Sequence, residues 1–297
     1  MIEVKNVVKT FDKFRALDEL NITIPDGAIY GLIGPNGAGK STIIRHLAGI
    51  YFQDSGEILI DGEKIFENSE KKSKIAYIPD DIFFFSQASI RDMMRFYSGI
   101  YPSFDAERYK NLQSAFSLDE KMPIRRLSKG MQKQAAFWLA ISMRPDILIL
   151  DEPVDGLDPV MRRQIWSLIM SDVAENNTTV LVSSHNLREL EDVCDYVGII
   201  HNGKTMLERS LSELQDNIVK VQFVLATDGQ LPGEIEILHE SKTGKIHTMI
   251  ARGKSDTISA KMETVQPLFY DILPLTLEEI FLYELGGVDY AVKNILL

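Results

Sequence analysis

Eight residues, Gly34-Pro35-Asn36-Gly37-Ala38-Gly39-Lys40-Ser41, carry the most chemistry in this 297-residue chain. A glycine, four residues, then Gly-Lys-Ser is the spacing of a loop that wraps phosphates. Gly34, Gly37 and Gly39 let successive backbone N–H groups turn inward with no Cβ in the way, and Asn36 and Ala38 complete the cradle. A helix from Ser41 onward puts its positive end on the same anion. Lys40 is placed to reach the β and γ phosphates, the Ser41 hydroxyl to meet a magnesium ion, and Thr42 to finish the nucleotide-binding set. A plain glycine-rich turn before a helix is the competing reading. The apolar run Ala28–Ile33 leading in and the helical spacing leading out both favour the phosphate site.

The partner element is Ile147-Leu148-Ile149-Leu150-Asp151-Glu152. A buried strand ending in acids places Asp151 to hold magnesium opposite Ser41, and Glu152 to orient or deprotonate an attacking water. Alone, such a strand is as often structural; after a phosphate loop it predicts hydrolysis. The Asn-Lys-x-Asp tetrapeptide that reads guanine is absent, so adenine is expected.

Strands and helices alternate from Ala28 to Ile200, with strands expected at 147–150, 179–184 and 196–200 and helices at 131–143, 159–173 and 187–194. That order predicts an α/β fold with a mostly parallel sheet covered by helices. Ile2–Val4, Leu20–Ile24 and Gly56–Gly62 read as further strands, and Ser89–Phe116 as helical with many aromatic and Met residues. Beyond about Leu211 the pattern changes. Strands at 219–225, 235–239 and 246–251, a turn at Lys242–Lys245 and helices at 255–266 and 275–285 suggest a small separate α+β domain. Cys194 is expected to pack within a helix.

Composition narrows the function classes. The net charge of −11 opposes binding to a phosphate backbone, so no nucleic-acid partner is expected. A single cysteine excludes an internal disulfide and a zinc ribbon. No basic-then-apolar leader and no run near the ~20 apolar residues of a membrane span is present. The expected compartment is cytoplasmic, with any membrane crossing left to another polypeptide.

Residues 1 to about 210 resemble the nucleotide-binding subunit of an ABC transporter. Leu127-Ser128-Lys129-Gly130-Met131 stands where that family has Leu-Ser-Gly-Gly-Gln, and Gly156-Leu157-Asp158-Pro159 matches its D-loop. His185 after Ser183-Ser184 matches the switch histidine, and Phe11 the adenine-stacking aromatic. The resemblance implies a P-loop NTPase fold: a RecA-like mostly parallel sheet, an antiparallel β subdomain and an inserted helical subdomain at about 84–143. The domain boundary then falls at 210, with residues 211–297 as accessory domain. It also implies an ATPase whose cofactors are ATP and Mg2+. Two ATP-binding subunits, as homodimer or heterodimer, meet head to tail and drive a separate transmembrane permease on the cytoplasmic face of the membrane.

In that arrangement Glu152 and His185 are the catalytic residues, and Ser128 and Gly130 reach across to the other chain's nucleotide. Asp80 stands in place of the family's Q-loop glutamine and is expected, with Ser41 and Asp151, at the metal. Lys129 and Met131 also depart from the family's signature and resemble a bacterial exporter-like branch. Ile82-Phe83-Phe84-Phe85 and the helices to about Phe116 are the expected contact with the permease. Two readings stay open beside this one. The first is an ABC-type ATPase acting on DNA or ribosomes, which the charge and the lack of coiled-coil arms or a second ATPase unit oppose. The second is a nucleotide-binding switch without useful hydrolysis, which Asp80 leaves open.

Overall fold

In the computed structural model, residues 1–225 and 235–284 are described. The chain forms two compact units, one of Met1–Asn186 with Val193–Glu208, the other of Leu187–Asp192 with the chain from Arg209 onward.

In the first unit, β1 (Ile2–Phe11) and β2 (Phe14–Ile24) pair antiparallel, β1 also pairs antiparallel with β4 (Ser55–Ile60), and β4 with β5 (Glu63–Lys64). A parallel sheet is built around β3 (Ile29–Ile33), whose five residues are all buried. Between β3 and β4 runs α1 (Lys40–Leu47), and between β5 and β6 (Ile75–Ile78) the short α2 (Ser69–Lys72). Then come α3 (Ile90–Ile100), α4 (Ala106–Phe116), α5 (Lys129–Ser142), β7 (Ile147–Asp151), α6 (Pro159–Asn176) and β8 (Thr179–Ser184). After the excursion α7 (Leu187–Glu191), β9 (Tyr196–His201) and β10 (Lys204–Ser210) return to the sheet, whose order is β10-β9-β3-β8-β7-β6. Ile2, Leu20, Ile24, Tyr30, Ile43, Ile44, Ile58 and Leu181 belong to one buried cluster, so the antiparallel layer, α1 and the parallel sheet share a core. Asn202 and Gly203, at φ 48° and 74°, make the two-residue turn joining β9 to β10.

This topology decides where chemistry can occur. β3 lies between β8 and β9, its two parallel neighbours, and both come much later in the chain. Loops leaving the carboxyl ends of β3, β7 and β8 therefore emerge side by side, the place where open α/β sheets bind ligands. They carry residues 34–39, 152–158 and 185–186, with Lys40 and Ser41 opening α1 directly after the first of them.

The helical stretch expected at 89–116 is two helices. Tyr101, before Pro102, is extended at φ −97° and ψ 110°, as a residue preceding proline prefers, and Asp105 caps α4 by accepting from the Arg108 N–H. Ser89 and Asp92 form a reciprocal capping box at the start of α3. Trp138 of α5 stacks on Tyr109 of α4 at 4.6 Å and 12° and donates its indole N–H to the Tyr109 carbonyl at 2.8 Å.

The second unit contains α7 and α8 (Leu211–Asn217), then β11 (Ile218–Val224), β12 (Glu236–Thr243), β13 (Ile246–Arg252), α9 (Ser255–Thr264), β14 (Phe269–Leu273) and α10 (Leu277–Glu284). Its antiparallel sheet runs β12-β13-β11-β14 over a core of Val221, Phe223, Met249, Ile258 and Met262. A cut at 210 assigns residues 187–192 to the first domain, whereas α7 clusters with the second unit. Cys194 is buried as expected, but it lies beyond the end of α7 instead of within a helix. Leu285, the expected end of the last helix, lies outside the described residues.

Candidate nucleotide site

The loop after β3 has the geometry its glycines predict at two decisive positions. Gly37 has φ 82° with open space on the side a Cβ would take, and Gly39 has φ 110° as the residue preceding α1. Both conformations are strained for any residue with a side chain. Gly34 serves packing: a Cβ there would lie 2.3 Å from the Ile200 carbonyl oxygen. Ala38 is buried, and its N–H and C=O are fixed by Pro35 and Gly203, at 3.1 and 2.9 Å. Asn36 and Gly37 form the exposed lip of the loop, and Ser41 and Thr42 are half-buried on the first turn of α1.

Lys40 is only 6% exposed, a burial that a lysine tolerates only when its charge is met. Its ammonium donates to the Gly34 carbonyl at 2.5 Å and lies 3.5 Å from Glu152 Oε1. Glu152 Oε2 is 2.9 Å from His185 Nδ1. The structure thus brings Lys40, Glu152 and His185 together from the ends of β3, β7 and β8. Glu152 itself stands at φ 47°, in the left-handed region, at a cost of about 1–2 kcal/mol for a residue with a side chain. Its N–H donates to the backbone oxygen and the hydroxyl of Ser183, at 3.2 and 3.1 Å, which fixes the turn.

The same Ser183 hydroxyl donates to Asp151 Oδ1 at 2.6 Å. Asp151 is buried, and no lysine or arginine side chain pairs with it among the described residues. A buried carboxylate held by one hydroxyl, at a strand end beside the phosphate loop, fits a divalent cation. Burial, and then the Asp151 carboxylate, push the Tyr77 phenol on neighbouring β6 up from its ordinary value. Among the described residues one cluster of His, Asp and Glu lies close enough to share an ion, Glu152, Asp155 and His185, and neither Asp151 nor Asp80 joins it. Asp80 is instead 3.6 Å from the Lys133 ammonium, so the structure pairs it with a cationic side chain, not with Asp151 or Ser41. Lys133, unforeseen from sequence, also donates to the Glu152 carbonyl at 2.7 Å. No local pattern marks it, because both partners come from other loops.

The remaining expected residues stand elsewhere. Ser128 is the exposed cap of α5 and accepts from the Met131 N–H at 3.3 Å. A Cβ on Gly130 would meet the Gly156 carbonyl oxygen at 2.9 Å, so this glycine lets α5 approach the 152–158 loop. Lys129, Gln132 and Lys133 line a cleft of about 590 Å³ with Asp80, Asp81, Ile82, Asp155 and Gly156. Phe11 is 39% exposed at the end of β1, edge-on to Tyr51 at 5.5 Å with Lys9 5.6 Å from its ring centre. Phe83 and Phe85 are the exposed aromatics of the 82–85 run, and Phe84 is half-buried.

Comparison with known proteins agrees with this geometry. Residues 17–155 match the family described as ABC transporter. The ABC transporter ATP-binding protein YtrB of Bacillus subtilis is 32% identical over 97% of this chain and 99% of its own length, so the likeness runs through the second unit. The bacitracin transport ATP-binding protein BcrA of Bacillus licheniformis is 34% identical over 72% of this chain and 71% of its own length. A solved ATP-binding subunit of an ABC transporter superposes with a TM-score of 0.68 at 26% identity, covering 72% of this chain and 92% of that one. The chain belongs to the ABC transporter family, as an ATP-binding and ATP-hydrolysing subunit with the fold of the P-loop NTPases.

Proposed function

We propose that the chain binds MgATP on the 34–42 loop and hydrolyses it with Glu152 as general base, as one of two cassettes that close head to tail and work a transmembrane permease. Lys40 exchanges the Gly34 carbonyl and the Glu152 carboxylate for the β and γ phosphates, which frees Glu152 to accept a proton from water. His185, hydrogen-bonded to Glu152, holds that carboxylate in place and presents its other ring nitrogen to the γ-phosphate side. Phe11 stacks on the adenine. Magnesium supplies charge neutralisation at the β and γ phosphates when bound, and Ser41 and Asp151 are the residues that would hold it. Ser128 and Gly130 meet the γ-phosphate bound by the other cassette, so closure needs the triphosphate and cleavage permits reopening. No helix among the described residues is long and apolar enough to cross a membrane. The permease supplies the membrane path, and Phe83 and Phe85 belong to the surface offered to it, on the cytoplasmic face.

The observation that carries this reading is the meeting of Lys40, Glu152 and His185 at adjoining strand ends. Glu152→Gln keeps the shape of the side chain and removes the base. It is expected to bind ATP, to lose about 10²- to 10⁴-fold in turnover, and to accumulate as a dimer in ATP when followed by phosphate release and size-exclusion chromatography. Turnover within threefold of the parent would remove Glu152 from the role of base.

A further inference from the structure

Lys133 is a long, costly side chain to bury, and none of the roles above uses it. It lies on the second turn of α5, 8% exposed. Its ammonium makes two contacts: a 2.7 Å hydrogen bond to the backbone carbonyl of Glu152, and a 3.6 Å approach to Asp80 Oδ1. The carbonyl it holds belongs to the residue with the left-handed backbone, φ 47°, whose side chain faces Lys40 and His185. A residue in that region keeps its conformation only while its surroundings over-determine it. Ser183 fixes the N–H side of Glu152 and Lys133 the C=O side.

Asp80 sits on the loop that leads into the exposed phenylalanines, and its side chain is 62% exposed. An exposed carboxylate beside a buried ammonium acts as counter-ion and as a mechanical link between that loop and α5. Glutamine at position 80 could accept from the ammonium but would lack the charge of a counter-ion.

We infer that Lys133 is a positioning residue for Glu152, and that Asp80 serves as the counter-ion of Lys133 and not as a ligand of the metal. This rests on the assignment of Glu152 as base. The chain of contacts runs from the loop after β6 to the Lys133 ammonium to the Glu152 peptide. A shift of that loop therefore moves the base relative to Lys40 without changing the phosphate loop itself. The aromatic loop and the hydrolytic carboxylate are thereby joined by a single side chain.

Steady-state phosphate release by the purified full chain, titrated separately in ATP and in magnesium, tests this. Lys133→Met is expected to lower kcat about 10- to 100-fold, the range of a lost charge-assisted hydrogen bond, while half-saturation by ATP stays within about threefold. Lys133→Arg, which keeps charge and donors, is expected to recover most of the loss. Asp80→Asn, an exposed change with little risk to folding, is expected to lower kcat about threefold, in keeping with a partly exposed pair, and to leave half-saturation by magnesium unchanged. Combined with Lys133→Met it is expected to add nothing, because both act through one contact. A tenfold rise in the magnesium needed for half-saturation of Asp80→Asn would return Asp80 to the metal and overturn the inference. So would full kcat in Lys133→Met, or additive losses in the double variant. Full activity in Glu152→Gln would instead count against the base itself, so the two failures are distinguishable.

Discussion

At the scale of single residues, the first turns after the phosphate loop hold a second titratable group whose state is set by burial. His46 lies on α1, fully buried, with Nδ1 2.7 Å from the Thr42 carbonyl. Burial, and secondarily the Lys9 ammonium, lower its pKa below the ordinary imidazole value, against the opposing pull of the Thr42 and Phe52 carbonyls and Asp54. The folded chain therefore prefers His46 neutral, whereas the unfolded chain takes up a proton below about pH 6.5. The stability this contributes is complete above that pH and is lost as pH falls toward the lowered folded value. The slope is at most about 1.4 kcal/mol per pH unit. Urea unfolding of the parent and of His46→Leu between pH 7 and 5 should show a shallower decline in the variant. Equal slopes would assign the decline to other groups. Lys40, Asp151, Glu152 and His185 were legible in the sequence because each sits in a local pattern at a strand end. Lys133 was not, since its partners lie 19 residues ahead and 53 behind and meet it only once α5 has packed.

Among the elements, the segment from Asp80 through α3 combines an anchored start with an exposed aromatic face. Phe83 is 80% exposed, and Phe85 packs edge-on against Phe96 of α3 at 4.8 Å, so this surface is held in shape while remaining open. Patches of this kind mark interaction surfaces. Replacing Phe83 alone by Asp, which breaks no aromatic pair, should weaken co-purification with the permease while leaving the melting temperature and the ATPase rate of the free chain within error. Unchanged co-purification would move the contact elsewhere. Phe84, in the middle of the run, is a poorer probe because it is half-buried. Sequence alone could not separate the three, since exposure here depends on a loop without periodicity. It likewise passed over β10, α8 and β14, which are partly exposed and show no clean alternation. The fully buried strands β3 and β7, only five residues each, were plain because their apolar runs end at glycines or acids.

For the whole molecule, the chain crosses between units more often than its composition suggests. The change of character at Leu211 falls two residues after Arg209, where the second unit resumes, but Leu187–Asp192 between β8 and β9 show no such change and still belong to that unit, with α7 packed on α10. Leu187 and Leu190 of α7 are buried, and Arg188 reaches Glu278 at 3.1 Å. Only Asn186 separates α7 from His185. Ending the chain at Ser210 keeps every strand around the nucleotide site but removes the surface that α7 is folded against. Hydrogen exchange over residues 187–192 should then lose at least about tenfold in protection, since local stability follows the apolar contacts that remain. The exchange rates of β3 and β7 should stay as they were. Because the frayed helix begins two residues after His185, phosphate release by the shortened chain should fall several-fold, with ATP affinity kept by the intact 34–42 loop. Retained protection at 187–192 would mean that α7 is held by the first unit alone. A normal rate with lost protection would mean that β8 and Glu152 fix the position of His185 without help from α7.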